Sequence, residues 1–323
     1  MSTPVMGHDS RSGSQSKMRL RTITPQDRSE LADLIYVSLN YWYQTHSRPP
    51  TFTRGPKDAD AFYEVYSTLE PGYAVIAENT ETGRLMGSCF YHPRKHHVSL
   101  GIMNVHPNHF GCGVGRALLE WIIDFTERGG YPALRLTQSA LNLDSYSLYT
   151  RAGFVPRCAF QDMFLQVPRA GVGEQTPGLD RVRDATLDDV SGMAELEMEV
   201  SGISREQDYR YAIKNPAGFF HCSVYEGSAG RLYGYMISSG CAMNMLGPCV
   251  ARSEEAAAAL ILRELDFYRG RTPVFLIPVE RENLVRRMYD LGARNRELHL
   301  CQVRGRFQPF RGISMPTFLP ETG

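Results

Sequence analysis

The chain of 323 residues is long enough for two domains of about 150 residues each. Lys plus Arg and Asp plus Glu both number 35, giving a formal net charge of zero, which argues against a basic face for nucleic acid. Apolar runs such as Ala256–Leu262 fall well short of the ~20 residues of a membrane span, and seven scattered cysteines with no C-x-x-C pair argue for a reduced, cytoplasmic setting without disulfides or a zinc ribbon.

Residues 1–17 are mostly Ser, Gly, His and Arg without an apolar stretch, and read as a disordered arm rather than a signal peptide. Hydrophobic periodicity then predicts a strand over 18–23, helices over 26–44 and 57–69, and strands over 73–79, 84–92 and 97–106. A glycine-spaced loop leads into a helix ending near Arg128. A strand over 133–138, a helix over 142–152 and a final strand pair to Gln166 follow. Residues 167–179 hold two prolines and three glycines among few apolar anchors, as a linker would. Beyond it come helices over 187–202 and 204–215, strands over 219–226, 231–239 and 243–250, a helix over 253–268, a strand over 273–279, a helix over 282–291 and a last strand pair.

The order of elements repeats because the sequence does. Arg21, Thr24, Asp27, Ala32 and Leu34 recur as Arg183, Thr186, Asp189, Ala194 and Leu196, at a constant offset of 162. In each copy a threonine stands where a helix N-cap is needed, with an acid in the first turn. Gly83-Arg84-Leu85-Met86-Gly87 returns as Gly230-Arg231-Leu232-Tyr233-Gly234, a turn entering a strand.

The stretch Val105-His106-Pro107-Asn108-His109-Phe110-Gly111-Cys112-Gly113-Val114-Gly115-Arg116 breaks a strand into a glycine loop and then a helix. Such a loop leaves backbone N–H groups unpaired at the positive end of a helix dipole, a place for a pyrophosphate. It lacks the acidic partner of a dinucleotide fingerprint and the Gly-Lys-Ser/Thr of a Walker loop. Instead it resembles the acetyl-CoA loop of the GNAT acetyltransferase superfamily, Gln/Arg-x-x-Gly-x-Gly/Ala, with Gly113 and Gly115 as the later glycines. Phe110 stands in the Gln/Arg place and Cys112 where a basic residue is common, yet both leave the backbone donors intact. Downstream, Asn142, Ser145, Leu148-Tyr149 and Gly153-Phe154 match a second pattern of the same superfamily.

The resemblance implies an α/β (α+β) chain of two GNAT-like domains, each a mixed, mostly antiparallel sheet flanked by helices. The catalytic copy would span 18–166 and a degenerate copy 180–323. It implies that the strand before the loop splays from its neighbour, so that Met103, Asn104 and Val105 bond the pantetheine arm of acetyl-CoA. Gly111, Cys112, Gly113, Val114, Gly115 and Arg116 would cradle the pyrophosphate, Asn142 and Ser145 would support the arm from the next helix, and Tyr149 would protonate the departing thiolate. The alternative for Tyr149 is a packed helix tyrosine. No acid lies within Val98–His106, so a water chain, His92 or His97 would accept the amine proton.

In the second copy Arg252-Ser253-Glu254-Glu255 replaces the glycine loop, and its two acids would repel a pyrophosphate. Tyr289 and Gly292 echo Tyr149 and Gly153 one residue out of register. The clustered histidines, His92, His96 and His97 with His106 and His109, lack the further ligands of a metal site, so no metal is expected. The aromatics Tyr41, Trp42, Tyr43, Phe52, Tyr63 and Tyr66 either line an acceptor pocket or extend the core. The reading is an acetyl-CoA-dependent N-acetyltransferase acting on a small-molecule amine, with no nucleic-acid or membrane partner. Its alternatives are transfer of a longer acyl chain and a non-catalytic coenzyme A sensor.

Overall fold

A computed structural model describes residues 17–173, 176–240 and 243–319. Most of the expected N-terminal arm therefore lies outside the described residues. Lys17, its last member, anchors the first strand through a carbonyl that accepts from the Thr80 amide at 2.9 Å.

The first half contains β1 (Met18–Thr22), α1 (Arg28–Thr45), α2 (Asp60–Leu69), β2 (Ala74–Asn79), β3 (Leu85–Pro93), β4 (Val98–Val105), α3 (Val114–Arg128), β5 (Ala133–Ser139), α4 (Leu143–Arg151) and β6 (Val155–Phe164). The second contains β7 (Val182–Asp184), α5 (Val190–Ser201), α6 (Glu206–Lys214), β8 (Phe220–Glu226), β9 (Leu232–Ser239), β10 (Met245–Ala251), α7 (Glu254–Leu265), β11 (Val274–Pro278), α8 (Glu282–Asp290), β12 (Arg294–Gly305) and β13 (Ile313–Met315). The repeat is physical as well as textual. Arg21 donates two hydrogen bonds to Asp27, at 2.8 and 2.7 Å, and Arg183 donates two to Asp189, both at 2.8 Å. In both copies the acid also accepts from the Thr24 or Thr186 backbone amide, closing a capping box.

All strands join one mixed sheet in the order β1-β2-β3-β4-β5-β12-β6-β11-β10-β9-β8-β7, with β13 paired to β10. Neighbours are antiparallel except at β4–β5 and β10–β11. The strand pair expected to end at Gln166 is a single strand, β6. Its missing companion comes from the other half: β12 lies between β5 and β6, while β6 lies between β12 and β11. Periodicity reports that a stretch is extended but not which strand it pairs with, so the exchange left no trace in the sequence pattern.

Alternation along β2 shows how the helices divide between the faces. Ala74 and Ile76 pack with α1, α2, α5 and α6 in one core shared by the two halves. Val75 and Ala77 face the other way, into a core built on α3 and α4, and the second half has its own around α7. The first part of the expected linker is pinned, since Val167 is buried and its amide donates to the Arg271 carbonyl at 2.9 Å.

Candidate active site

β4 and β5 form a fork. They pair in parallel only at Val98↔Leu134 and Ser99↔Arg135, then part. A register shift against β3 marks a bulge at Gly101-Ile102, after which Met103, Asn104 and Val105 pair with Cys89, Ser88 and Gly87. Among the described residues, the edge of β4 that faces β5 has no strand partner beyond Ser99. Asn104 is fixed from behind: its Oδ1 accepts from Ser38 Oγ of α1 at 2.8 Å, while its buried Nδ2 has no partner among the described residues. A serine inside a helix carries no sequence signal of its tertiary contact, so the role of Ser38 is legible only in the structure.

At the end of β4 the loop turns through a short 3-10 segment into α3. Gly111 and Gly113 have φ of +76° and +80°, a left-handed backbone that disfavours side chains, and Gly113 is the cap of α3. A Cβ built on either would meet nothing within 4 Å, so the requirement comes from the backbone angle and the concave side is open. The Ala117 amide bonds the Gly113 carbonyl, whereas no backbone acceptor among the described residues takes the amides of Gly113, Val114, Gly115 or Arg116. These successive free donors at a helix start make an anion cradle. Gly115 packs against Leu148 of α4 and Val105 of β4. The Arg116 guanidinium turns along the helix to Glu120 at 2.8 Å, so what Arg116 offers the loop is its amide. Cys112 is exposed, and Phe110 is half-exposed with its ring against Tyr41, 5.9 Å between centroids.

Asn142 caps α4 by accepting from the Ser145 amide at 3.0 Å, which ties both predicted residues into one turn. Tyr149 lies on the buried side of α4, 5% exposed, against Phe154. The C-terminal turn of α4 identifies its counterpart in the second half. Phe154 N donates to Tyr149 O at 3.1 Å and Gly153 has φ of +87°, while Ala293 N donates to Met288 O at 2.9 Å and Gly292 has φ of +90°. Met288, fully buried, thus stands in the place of Tyr149, and Tyr289 points outward to Gln161.

The second fork is filled. β10 pairs with β11 at Met245↔Val274 and Leu246↔Phe275 and then bulges, as β4 does. Its continuation, Cys249-Val250-Ala251, pairs with Met315, Ser314 and Ile313 of β13. Gly87 faces Val105, and its repeat partner Gly234 faces Ala251, so β13 occupies the edge that corresponds to Met103-Asn104-Val105. At the start of α7, Ser253 Oγ accepts from Ala256 N at 3.2 Å and Glu254 accepts from Leu284 N at 2.5 Å.

His92 and His97 are wholly buried. Desolvation lowers His92 to about 4, with Nδ1 held by Glu70, and desolvation followed by the Arg135 and Arg94 charges lowers His97 well below the ordinary histidine range. Both belong to a buried ionic seam between the halves, where Arg94 bridges Glu70 and Asp208. The aromatic patch divides. Tyr66 is core, whereas Tyr41 and the buried Phe52 line an open groove of about 530 Å³ with Tyr36, Asn40 and Gln44. A cluster that sequence reasoning missed lies on the exchanged strands, where Asp162, Glu297 and His299 converge. Its one sequence signal is the alternation Glu297-Leu298-His299-Leu300, polar residues on one face of a strand.

The acetyltransferase (GNAT) family profile matches residues 39–154 and the acetyltransferase (GNAT) domain profile matches residues 193–303, together well over half of the chain. The chain belongs to the GNAT acetyltransferase family. It carries two such domains in tandem. Among solved structures it is similar to an acetyltransferase candidate from Pyrococcus horikoshii, at TM-score 0.73 and 15% identity, covering 98% of this chain and 100% of that one. It is also similar to the tandem GNAT protein from the clavulanic acid biosynthesis pathway, at TM-score 0.59 and 14% identity, covering 89% and 98%. At these identities the likeness shows the fold. A curated relative, the UPF0157 protein YqkA of Bacillus subtilis (strain 168), is 31% identical over 94 residues, and the match spans 29% of this chain and 27% of that protein. No helix among the described residues is long and apolar enough to cross a membrane.

Proposed function

We propose that this tandem GNAT protein is an acetyl-CoA-dependent N-acetyltransferase of small-molecule amines whose first domain, 18–166, carries the reaction. A linker over 167–179 and a degenerate domain over 180–323 complete the chain. The observation that carries the reading is the contrast between the forks. The edge Met103-Asn104-Val105 is open to an extended ligand, and its counterpart Cys249-Val250-Ala251 is already bonded to an extended segment of the chain itself.

An acyl-CoA fits the residues present. The amides from Gly113 to Arg116, with Gly111 and Cys112 shaping the turn, would hold the pyrophosphate. Met103, Asn104 and Val105 would bond the pantetheine arm as a neighbouring strand would, with an amide near Asn104 polarising the thioester carbonyl. Asn142 and Ser145 hold the start of α4 beside that arm, and Tyr149 supplies the proton for the thiolate. The loop reads the nucleotide end, so acyl length is set elsewhere, by what lines the fork.

The test is thiol release over a panel of primary amines together with calorimetric titration of acetyl-CoA. Saturable binding with turnover supports the transferase. Tight binding with no thiol released from any amine overturns it in favour of a coenzyme A sensor.

A further inference from the structure

The exchanged strands assemble a set of chemistry-bearing side chains beside the open fork. Glu297 and His299 alternate on β12 and share a face, and Asp162 on β6 lies directly across from Glu297. Their ligand atoms lie within 4.8 Å of one another, and all three residues are more than nine-tenths buried. His299 Nδ1 stands 3.7 Å from Asp162 Oδ2, too far for a hydrogen bond, and neither that nitrogen nor Asp162 Oδ1 has a partner among the described residues. Burial keeps His299 neutral, lowered to about 3, so the imidazole does not balance the carboxylates. Among the described residues no Lys or Arg forms an ion pair with Asp162 or Glu297; Arg296 on the same strand is drawn over the Tyr43 ring, 5.6 Å from its centroid. Two buried carboxylates with no ion-paired cation are costly. Desolvation, with Glu297 opposite and against the pull of Arg296, pushes Asp162 up to about 7.

The location tells which cation. Ser139 on β5 lies four residues past Arg135, and the bulge at Gly101-Ile102 leaves Met103 only three ladder steps past Ser99, so Asn104 and Ser139 stand at nearly the same level across the fork. Ser139 is partly exposed and its hydroxyl donates to Glu297. The cluster therefore begins one strand spacing, about 4.8 Å, behind the far wall of the fork. It faces α1, whose Tyr43 hydroxyl is desolvated near the same carboxylates and pushed up to about 12.

We propose that Asp162, Glu297 and His299 form a cation pocket that receives the ammonium group of the acceptor, and that Asp162 takes its proton. The proposal rests on reading the fork as the acyl-CoA slot. One ammonium proton passes to the Asp162 carboxylate, and the nitrogen lone pair then forms the N–C bond at the thioester carbon. As the C–S bond breaks, the thiolate takes the Tyr149 proton, the second proton lost by nitrogen restores the tyrosine, and Asp162 returns its own to solvent. The net products are amide, free thiol and one proton. The groups around the carboxylates are Ser139 from β5, Tyr43 from α1, Arg48 just after it, and Arg296 and His299 from β12. The substrate class this selects is a primary alkylamine, protonated at neutral pH.

The test uses the full chain and its Asp162→Asn and Glu297→Gln variants, with acetyl-CoA and two probes: n-butylamine, which arrives protonated, and hydroxylamine, which arrives neutral. Acetyl-CoA affinity by calorimetry should stay within twofold in both variants, which also reports folding. Turnover of n-butylamine should fall about 100-fold or more in Asp162→Asn and recover as pH rises, while hydroxylamine loses less than fivefold. Equal losses with both amines overturn the proton-accepting role. One zinc or manganese ion retained per chain after dialysis, and lost in Asp162→Asn, overturns the ammonium assignment in favour of a metal. Acetyl-CoA binding with no thiol release from either amine also overturns it, whereas no acetyl-CoA binding at all overturns the underlying transferase reading instead.

Discussion

The two halves share a fold, a capping box, a forked sheet and a bulged strand, and differ at each point that would engage an acyl-CoA. Where the first half has left-handed glycines and free amides before α3, the second has a serine cap and a glutamate turned onto Leu284. Where the first has Tyr149 the second has Met288, and where the first leaves β4 open the second lays β13 along β10. The fold elements are retained because they hold a core, since the halves share one cluster across α1, α2, α5 and α6. On the proposed reading the second copy is degenerate without cost to packing, since its fork is filled by apolar chain: Ile313 and Met315 are fully buried. The second half also lends β12 to the first.

The contrast can be broken by paired substitutions. The largest effect is expected at the acid: Tyr149→Phe should lower turnover about 100-fold or more with acetyl-CoA affinity within threefold, while Met288→Leu should change turnover less than twofold. Steady-state kinetics with any accepted amine reads both. Next comes the loop. Gly113→Val forces a branched side chain into φ of +80° and should weaken acetyl-CoA at least about 10-fold, whereas Ser253→Ala removes only a cap and should cost about 1 kcal/mol of stability with affinity unchanged. Calorimetry and urea unfolding separate the two outcomes, and equal losses of affinity at both helix starts would erase the distinction between the halves.

A proline at Ser314 sharpens the comparison from the other side. It should disrupt β13 on β10 and cost about 1–3 kcal/mol, yet leave acetyl-CoA affinity unchanged, since the first fork is untouched. The smallest effect concerns what the halves share. The hydrogen bonds from Arg21 hold the Asp27 carboxyl down at about 2, below its unfolded value near 4. A lowered folded pKa means stability that is complete above about pH 4 and lost as pH falls toward 2. Asp27→Asn should thus cost about 1–2 kcal/mol at pH 7 and progressively less toward pH 2. Asp189→Asn should act in the same direction but more weakly, because Arg183 is 42% exposed and solvent screens its pair.

Much of this molecule was legible before its structure. Helix positions followed from periodicity where one face is buried, as in α3 and α8, strands buried on both faces such as β10 from their apolar runs, and the glycine loop stood out because a left-handed cap leaves few residues to choose from. The loss of the loop in the second half was readable in Glu254 and Glu255. What stayed hidden was long-range: that β6 and β12 trade places, that a short stretch near Ser314 closes a fork, and that Met288 rather than Tyr289 matches Tyr149, which only the turn at Gly292 reveals. Asp162 and Glu297 are 135 residues apart in sequence and meet only because of the exchange.

The backbone that acetyl-CoA protects separates the two halves most directly. Hydrogen exchange of the full chain, read by mass spectrometry with and without acetyl-CoA, should show new protection across residues 103–116 and none across 249–257. Protection at 249–257, or saturation that leaves 103–116 exchanging as before, would contradict it.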